Sequence, residues 1–262
     1  MPKFAANLNF LFTEHEFLDR FTAAARAGFR GVECQFPYPY PKQQIADRLN
    51  QHGLELVLHN LPCGDADKGE RGFACLPGRE REFQDHVGLA IEYASALGCR
   101  QLHCTAGVQP AQSDPQRVHA TYVANLRHAA REMGKAGIRC LMEPISDRGI
   151  PGFYLNSPRQ AAAIMDEARI DNLWMQFDIY HAQITEGDLA VSIETHLPRI
   201  SHMQLADTPG RHEPGTGEIN YPFLFGHIDR LGYDGWIGCE YTPLHGTAEG
   251  LGWARSYLGS PS

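Results

Sequence analysis

Residues 172–183 read NLWMQFDIYHAQ. Leu173, Trp174, Met175 and Phe177 form an apolar run as long as a buried strand, and Asp178 arrives at its end, with Tyr180, His181 and Gln183 close behind. A carboxylate desolvated there without a partner costs roughly several kcal/mol. Asp178 therefore needs a partner. It can cap the helix that follows, or it can share a chemical group with other side chains.

Outward from this stretch, short apolar runs alternate with amphipathic segments. The strand-like runs are 4–8, 31–36, 54–61, 101–107, 138–145, 173–181, 200–207 and 236–241. Helix-like segments lie near 15–28, 42–52, 80–98, 115–136, 157–168, 187–196, 221–231 and 246–258. Eight β units alternating with eight α units predict a parallel sheet with helices on its outer face, closed as one (β/α)8 barrel over residues 1–262. A doubly wound sheet would carry fewer units and a glycine-rich phosphate turn after the first strand, and no G-x-G-x-x-G occurs there. No linker or low-complexity tract divides the chain. The long irregular segment 62–79, PCGDADKGERGFACLPGR, follows the third strand and has the length of a functional loop, such as a lid.

Composition narrows the function. Lys and Arg number 23 against 31 Asp and Glu, a net charge of −8 with no basic run, which argues against nucleic acid as the main partner. No apolar run approaches the ~20 residues of a membrane span, and the N-terminus lacks a signal-peptide pattern. The seven cysteines are scattered without a CxxC pair, as reduced thiols of a cytoplasmic protein are.

Barrel enzymes build their sites at the C-terminal ends of the strands. The fifth strand ends in Glu143, the sixth in Asp178, the seventh in Gln204 and the eighth in Glu240, at spacings of 35, 26 and 36 residues, each about one βα unit. All four should point into one mouth. Three carboxylates and an amide would repel unless a divalent cation joined them, and an all-oxygen set suits Mg²⁺ or Mn²⁺ before Zn²⁺. His181, three residues beyond Asp178, is expected to contact substrate or tune a metal-bound water. His59 and Asn7, at the ends of the third and first strands, are expected to face the same mouth as substrate contacts or as loop anchors. In RHEPGTGEINY (211–221), Arg211 and His212 offer positive charge near the rim, or a tight turn only. Glu143 and Glu240 approach the ion from different strands. Two such bases, one metal and no redox cofactor fit aldose–ketose isomerisation or epimerisation through an enediolate.

Several stretches together resemble the hydroxypyruvate isomerase family, within the xylose-isomerase-like TIM-barrel superfamily. They are FAANL (4–8), GFRGVE (28–33), FPYPY (36–40), LHNLPCGD (58–65), GERGFACLPGRE (69–80), MEPIS…IPGFYL (142–155), FDIYHAQ (177–183), QLADTPGRHEPGTGEINY (204–221) and GWIGCEY (235–241). The resemblance covers nearly the whole chain. It implies metal ligation by Glu143, Asp178, Gln204 and Glu240 and acid/base roles for Glu143 and Glu240. It further implies interconversion of hydroxypyruvate and tartronate semialdehyde, and with it a place in glyoxylate metabolism. A sister group isomerises 2-oxo-tetronates with the same ligands. An alanine after the first glutamate and Thr-Phe-His after the aspartate are expected there, whereas this chain has MEPI and FDIYH, so hydroxypyruvate is the favoured substrate. Its carboxylate needs a cation, for which Arg211, Lys68, Arg71 and Arg79 are candidates. The partner expected is this small hydroxy-oxo acid, with a homo-oligomer left open. Two other classes compete: an endonuclease IV-like metallohydrolase, which would need more histidine ligands and a basic rim, and a non-catalytic sugar-acid-binding protein, which would not need paired glutamates.

Overall fold

The computed structural model describes residues 1–258. Its eight strands are β1 (Lys3–Asn7), β2 (Gly31–Glu33), β3 (Glu55–Asn60), β4 (Gln101–His103), β5 (Arg139–Met142), β6 (Leu173–Asp178), β7 (Ile200–Leu205) and β8 (Trp236–Cys239). Each pairs in parallel with the next, and β8 pairs with β1, so the barrel closes. The expected (β/α)8 barrel is present. Around it lie α1 (Phe17–Arg26), α2 (Lys42–His52), α3 (Glu80–Leu97), α4 (Pro115–Lys135), α5 (Pro158–Ala168), α6 (Ile179–Thr185), α7 (Leu189–His196), α8 (Tyr221–Arg230) and the short α9 (Thr247–Gly250).

Local chemistry sets the helix starts. Ser157 Oγ accepts from Gln160 N with Pro158 at the first helical position of α5, and Asp114 and Asn220 open α4 and α8 in the same way. Val118, Tyr122, Leu126, Ala129 and Met133 give α4 its buried stripe against the barrel wall. No helix of the described residues is long and apolar enough to cross a membrane.

β2, β4, β5, β7 and β8 end two to four residues earlier than expected, and two further boundaries differ for a local chemical reason. The sixth strand stops at Asp178, not at 181, and α6 begins at Ile179, because the Asp178 carboxylate accepts Tyr180 N at 2.8 Å and turns the chain into a helix. A helix over 246–258 is reduced to α9 and a 3₁₀ turn, Leu251–Ala254, since Gly250 and Gly252 weaken helical continuation.

The barrel interior is layered. At the N-terminal end the Trp236 ring closes over Gly31, and the Arg139 guanidinium lies 5.2 Å from the Trp174 ring centre. Above this layer Glu33 on β2 meets His202 on β7, and Gln101 on β4 meets the same histidine. These strands are not neighbours, so the side chains meet through the lumen. A polar floor thus lies beneath the mouth. All seven cysteines are free, as expected, and six of them are buried.

Candidate active site

The two oxygens of the Asp178 carboxylate have different surroundings. One carboxylate oxygen, Oδ1, caps α6, while the other, Oδ2, is buried and finds no hydrogen-bond partner among the described residues. It lies 3.7 Å from Arg211 Nη2 and 3.6 Å from His181 Nε2. The same Arg211 Nη2 donates to Glu240 Oε1 at 3.3 Å, and Gln35 Nε2 donates to that oxygen at 3.0 Å. Glu143, Asp178 and His181 each bring a donor atom within 4.8 Å of the others. Gln204, which pairs in register with Asp178, lines a small recess with Glu143 and Glu240. The four late-strand residues therefore converge, as the strand-end spacing predicts.

Above the recess opens a cavity of about 250 Å³, lined among others by Asn60, His103, Glu143, His181, Arg211 and Glu240. Burial pushes the Glu143 carboxyl well above the usual range, and neighbouring Glu240 and Asp178 add to the shift. Burial likewise pushes Glu240 up to about 8, although Arg211 opposes it. For Arg211, burial acts to lower the pKa, and Glu240, Asp178 and Glu143 together outweigh it and hold it raised. Ionised together, these three carboxylates against one guanidinium would leave two negative charges in a buried space. A divalent cation would balance them, and Asp178 Oδ2 is a free acceptor for one. The donor set is oxygen-rich and fits a hard cation.

Arg211 occupies the mouth as the sequence suggests, and its guanidinium is sandwiched 5.2 Å from the Phe10 ring centre and 5.0 Å from that of Tyr180. Its Nε is buried without a partner among the described residues. The backbone there is left-handed (φ 57°), and one buried carboxylate, Asp207, holds the loop. Asp207 Oδ1 accepts from Thr208 N and Ile219 N, and Oδ2 from Gly215 N and Gly217 N, at 2.9–3.1 Å. Gly217 must be glycine, since a Cβ would lie 1.8 Å from Thr208 O. Asp207→Ala would orphan four backbone donors. We expect a loss of about 3 kcal/mol in urea unfolding together with a raised KM, because the Arg211 loop loses its staple. His212, the other rim candidate, instead bonds to Thr242 O through Nδ1.

His181 sits in the first turn of α6, not on a strand. Ser146 N donates to its Nδ1 at 3.4 Å and Ser146 Oγ lies 2.9 Å from the same atom, so the ring hydrogen resides on Nε2 and faces Asp178 and the cavity. Burial lowers its pKa to about 4. Its Nε2–H is placed to donate into the cavity.

The remaining candidates divide between the cavity wall and anchoring positions. His59 lies outside the mouth. Its Nδ1 lies 3.3 Å from Tyr38 OH, and Asn60 lines the cavity in its place. The register between β2 and β3 slips, with Val32 opposite Leu56 and Glu33 opposite Leu58, which shifts the alternation of β3 by one residue. Asn7 lines the recess but spends its amide on Glu33, to which Nδ2 donates at 2.9 Å, and so serves as an anchor. Of the loop cations, Arg71 reaches the cavity. Arg79 is paired with Glu70 and Glu82, and Lys68 with Asp65. Segment 62–79 is stapled below by Asn125 Nδ2 to Ala74 O and by Gly72 N to Cys63 O, which leaves Gly64–Gly69 as its exposed tip.

Residues the sequence reading missed are Glu33, His103, Gln176 and His202. His103 is buried, has no partner for either ring nitrogen among the described residues, and has its pKa lowered to about 3, chiefly by burial. Its Nδ1 lies 3.4 Å from Glu143 Oε2, outside hydrogen-bond alignment. The strand-end rule, applied to the early strands as well as the late ones, would have found Glu33 and His103.

A closed barrel with an acidic, cation-ready mouth at the strand C-termini has its polar cluster where barrel enzymes build their active sites. The chain belongs to the xylose isomerase-like TIM barrel family, whose model matches residues 21–257. It is 49% identical over 259 residues to a 2-oxo-tetronate isomerase of Cupriavidus necator, covering 99% of this chain and all of that protein. A hydroxypyruvate isomerase of Escherichia coli is also 49% identical, over 257 residues, covering 98% of this chain and all of that one. A solved Brucella melitensis structure described as an AP endonuclease of family 2 superposes with a TM-score of 0.97 at 45% identity, covering 99% of this chain and all of that chain.

Proposed function

We propose that this isomerase interconverts hydroxypyruvate and tartronate semialdehyde, with Mg²⁺ or Mn²⁺ held by Glu143, Asp178, Gln204 and Glu240. The observation that carries the reading is the pair of buried glutamates, Glu143 and Glu240, that face one cavity with Arg211. A carboxylate that ligates a cation through one oxygen can accept or return a proton on the other. When bound, the cation would polarise the substrate's carbonyl and hydroxyl oxygens and stabilise negative charge that develops on them.

One of the two glutamates, ionised, takes the C3 proton of hydroxypyruvate on a carboxylate oxygen, and the O3 hydroxyl proton passes to O2. The other, protonated at the start, gives its proton to C2, and proton exchange with solvent restores the two carboxyls. Arg211 Nε is free to receive the substrate carboxylate, and the Phe10 and Tyr180 rings hold its plane in place. His181 Nε2–H donates to a substrate oxygen. The loop over 62–71, with Cys63, Ala66 and Arg71 on the cavity wall, keeps water from the reacting carbons. The unpaired thiols support a cytoplasmic setting.

A second reading is 2-oxo-tetronate isomerisation. His103 and Thr105 line the same cavity and bring polar atoms without partners, which could receive a further hydroxyl. Initial rates after chelation and addition of Mg²⁺ or Mn²⁺ decide. Hydroxypyruvate is expected to exceed 2-oxo-tetronates and a simple ketose in kcat/KM by about tenfold or more, a difference of about 1.4 kcal/mol. Faster turnover of the tetronate would transfer the assignment to the second reading. Cleavage of abasic DNA in place of either reaction would revive the nuclease class.

A further inference from the structure

Glu33, at the end of β2, is 1% exposed and accepts from three side chains. Asn7 Nδ2 and Gln204 Nε2 donate to its Oε1 at 2.9 and 2.8 Å, and His202 Nε2 reaches Oε2 at 2.7 Å. The barrel makes room for this group, since a Cβ on Gly238 would lie 2.3 Å from Glu33 Oε1. A carboxylate offers only acceptors, so the end of the Gln204 amide that faces it must be the NH₂. The Gln204 oxygen is thereby turned away, and Gln176 Nε2 donates to it at 2.6 Å, which leaves one lone pair directed elsewhere.

The direction of every bond below is fixed as well. Arg139, a pure donor, gives to Ser201 Oγ at 3.1 Å, and Ser201 Oγ gives to Gln101 Oε1 at 2.9 Å. Gln101 Nε2 then faces His202 Nδ1 at 3.3 Å, which leaves the hydrogen of His202 on Nε2, toward Glu33. The chain runs from a group that can only donate to one that can only accept, so no member can reverse without breaking a bond.

We propose that Glu33 is the positioning residue that fixes which atom of Gln204 faces the metal, by holding the amide NH₂ and so presenting the oxygen. The inference rests on the metal-dependent reading above. An amide turned by 180° would offer NH₂, which cannot ligate a cation. Glutamine at position 33 can donate or accept, so Glu33→Gln removes this constraint while it preserves shape.

The test is a cycle of Mn²⁺ affinities, measured calorimetrically on the wild type, Glu33→Gln, Gln204→Glu and the double variant. In the Gln204 background, Glu33→Gln is expected to weaken Mn²⁺ binding by about 10–100-fold. In the Gln204→Glu background the same change should have no weakening effect, since either oxygen of a carboxylate can ligate. A merely structural Glu33 would cost affinity in both backgrounds. Equal losses in the two backgrounds, or unchanged affinity of Glu33→Gln, would overturn the proposal alone. A wild-type protein that does not bind Mn²⁺ would overturn the metal-dependent reading and this inference with it. A measurement on the wild type covers the case in which Glu33→Gln does not fold. The Gln204 side-chain NH₂ resonance, assigned by its loss in Gln204→Glu, should exchange slowly with water before and after Mg²⁺ is added. Fast exchange would show that the amide does not face Glu33.

Discussion

Glu143→Gln and Glu240→Gln should each lower kcat for hydroxypyruvate by about 10²–10⁴-fold or more, the range of a lost general acid or base, while the fold persists. Each carboxylate is 5% exposed, so glutamine, nearly isosteric, keeps the packing but can neither accept a carbon-bound proton nor carry charge. Gln35 Nε2 can still donate to an amide oxygen at position 240. Both carboxyls are raised by burial and by acidic neighbours, so removing one carboxylate relieves repulsion in the metal-free mouth. The metal-free variants should therefore unfold at the same urea concentration as the wild type or a higher one. Turnover within tenfold of wild type in either variant would remove that glutamate from proton transfer. A lowered urea midpoint would mean that the glutamate supports the fold.

Arg211→Lys is the second large effect. The guanidinium does three things at once: it bridges Glu240 and Asp178 through Nη2, stacks between Phe10 and Tyr180, and leaves Nε free for substrate. A lysine ammonium is a single point charge without a planar face and cannot meet all three demands. kcat/KM for hydroxypyruvate should fall by about 10²-fold, mostly through KM, because the lost contact holds the substrate's carboxylate in ground state and transition state alike. A ketose without a carboxylate should be much less affected. An equal loss on both substrates would place Arg211 in the arrangement of the carboxylates and not in substrate binding.

The fold and half of the site were legible in the sequence for one reason. Parallel strands in a barrel end at a common rim, so a polar residue closing each late apolar run had to converge with the others. Asp178, Gln204, Glu240 and Glu143 follow from that alone. His59 was misplaced because alternation along β3 shifts at the irregular β2–β3 register, which no single-strand pattern reveals. Arg211 could be suspected but not placed, since its position depends on Asp207 collecting four backbone N–H groups across twelve residues of loop. Glu33 and His202 looked like ordinary members of short strands. Their partnership runs across the lumen between β2 and β7, a contact visible only after the barrel closes. The boundary at Asp178 failed for a related reason. Ile179, Tyr180 and Ala182 are apolar enough to extend a strand, and only the carboxylate's bond to Tyr180 N turns them into a helix.

Transfer of a carbon-bound proton that requires a divalent cation is the central claim, and solvent exchange tests it most directly. The wild-type protein, stripped by a chelator, is incubated with hydroxypyruvate in D₂O and followed by proton NMR. Without metal, no deuterium should enter C3 beyond the uncatalysed background. After Mg²⁺ or Mn²⁺ is restored, deuterium should appear at C3 of hydroxypyruvate and at C2 of tartronate semialdehyde as that product forms. Exchange at full rate in the chelated protein, or none in the metal-loaded protein, would contradict the account.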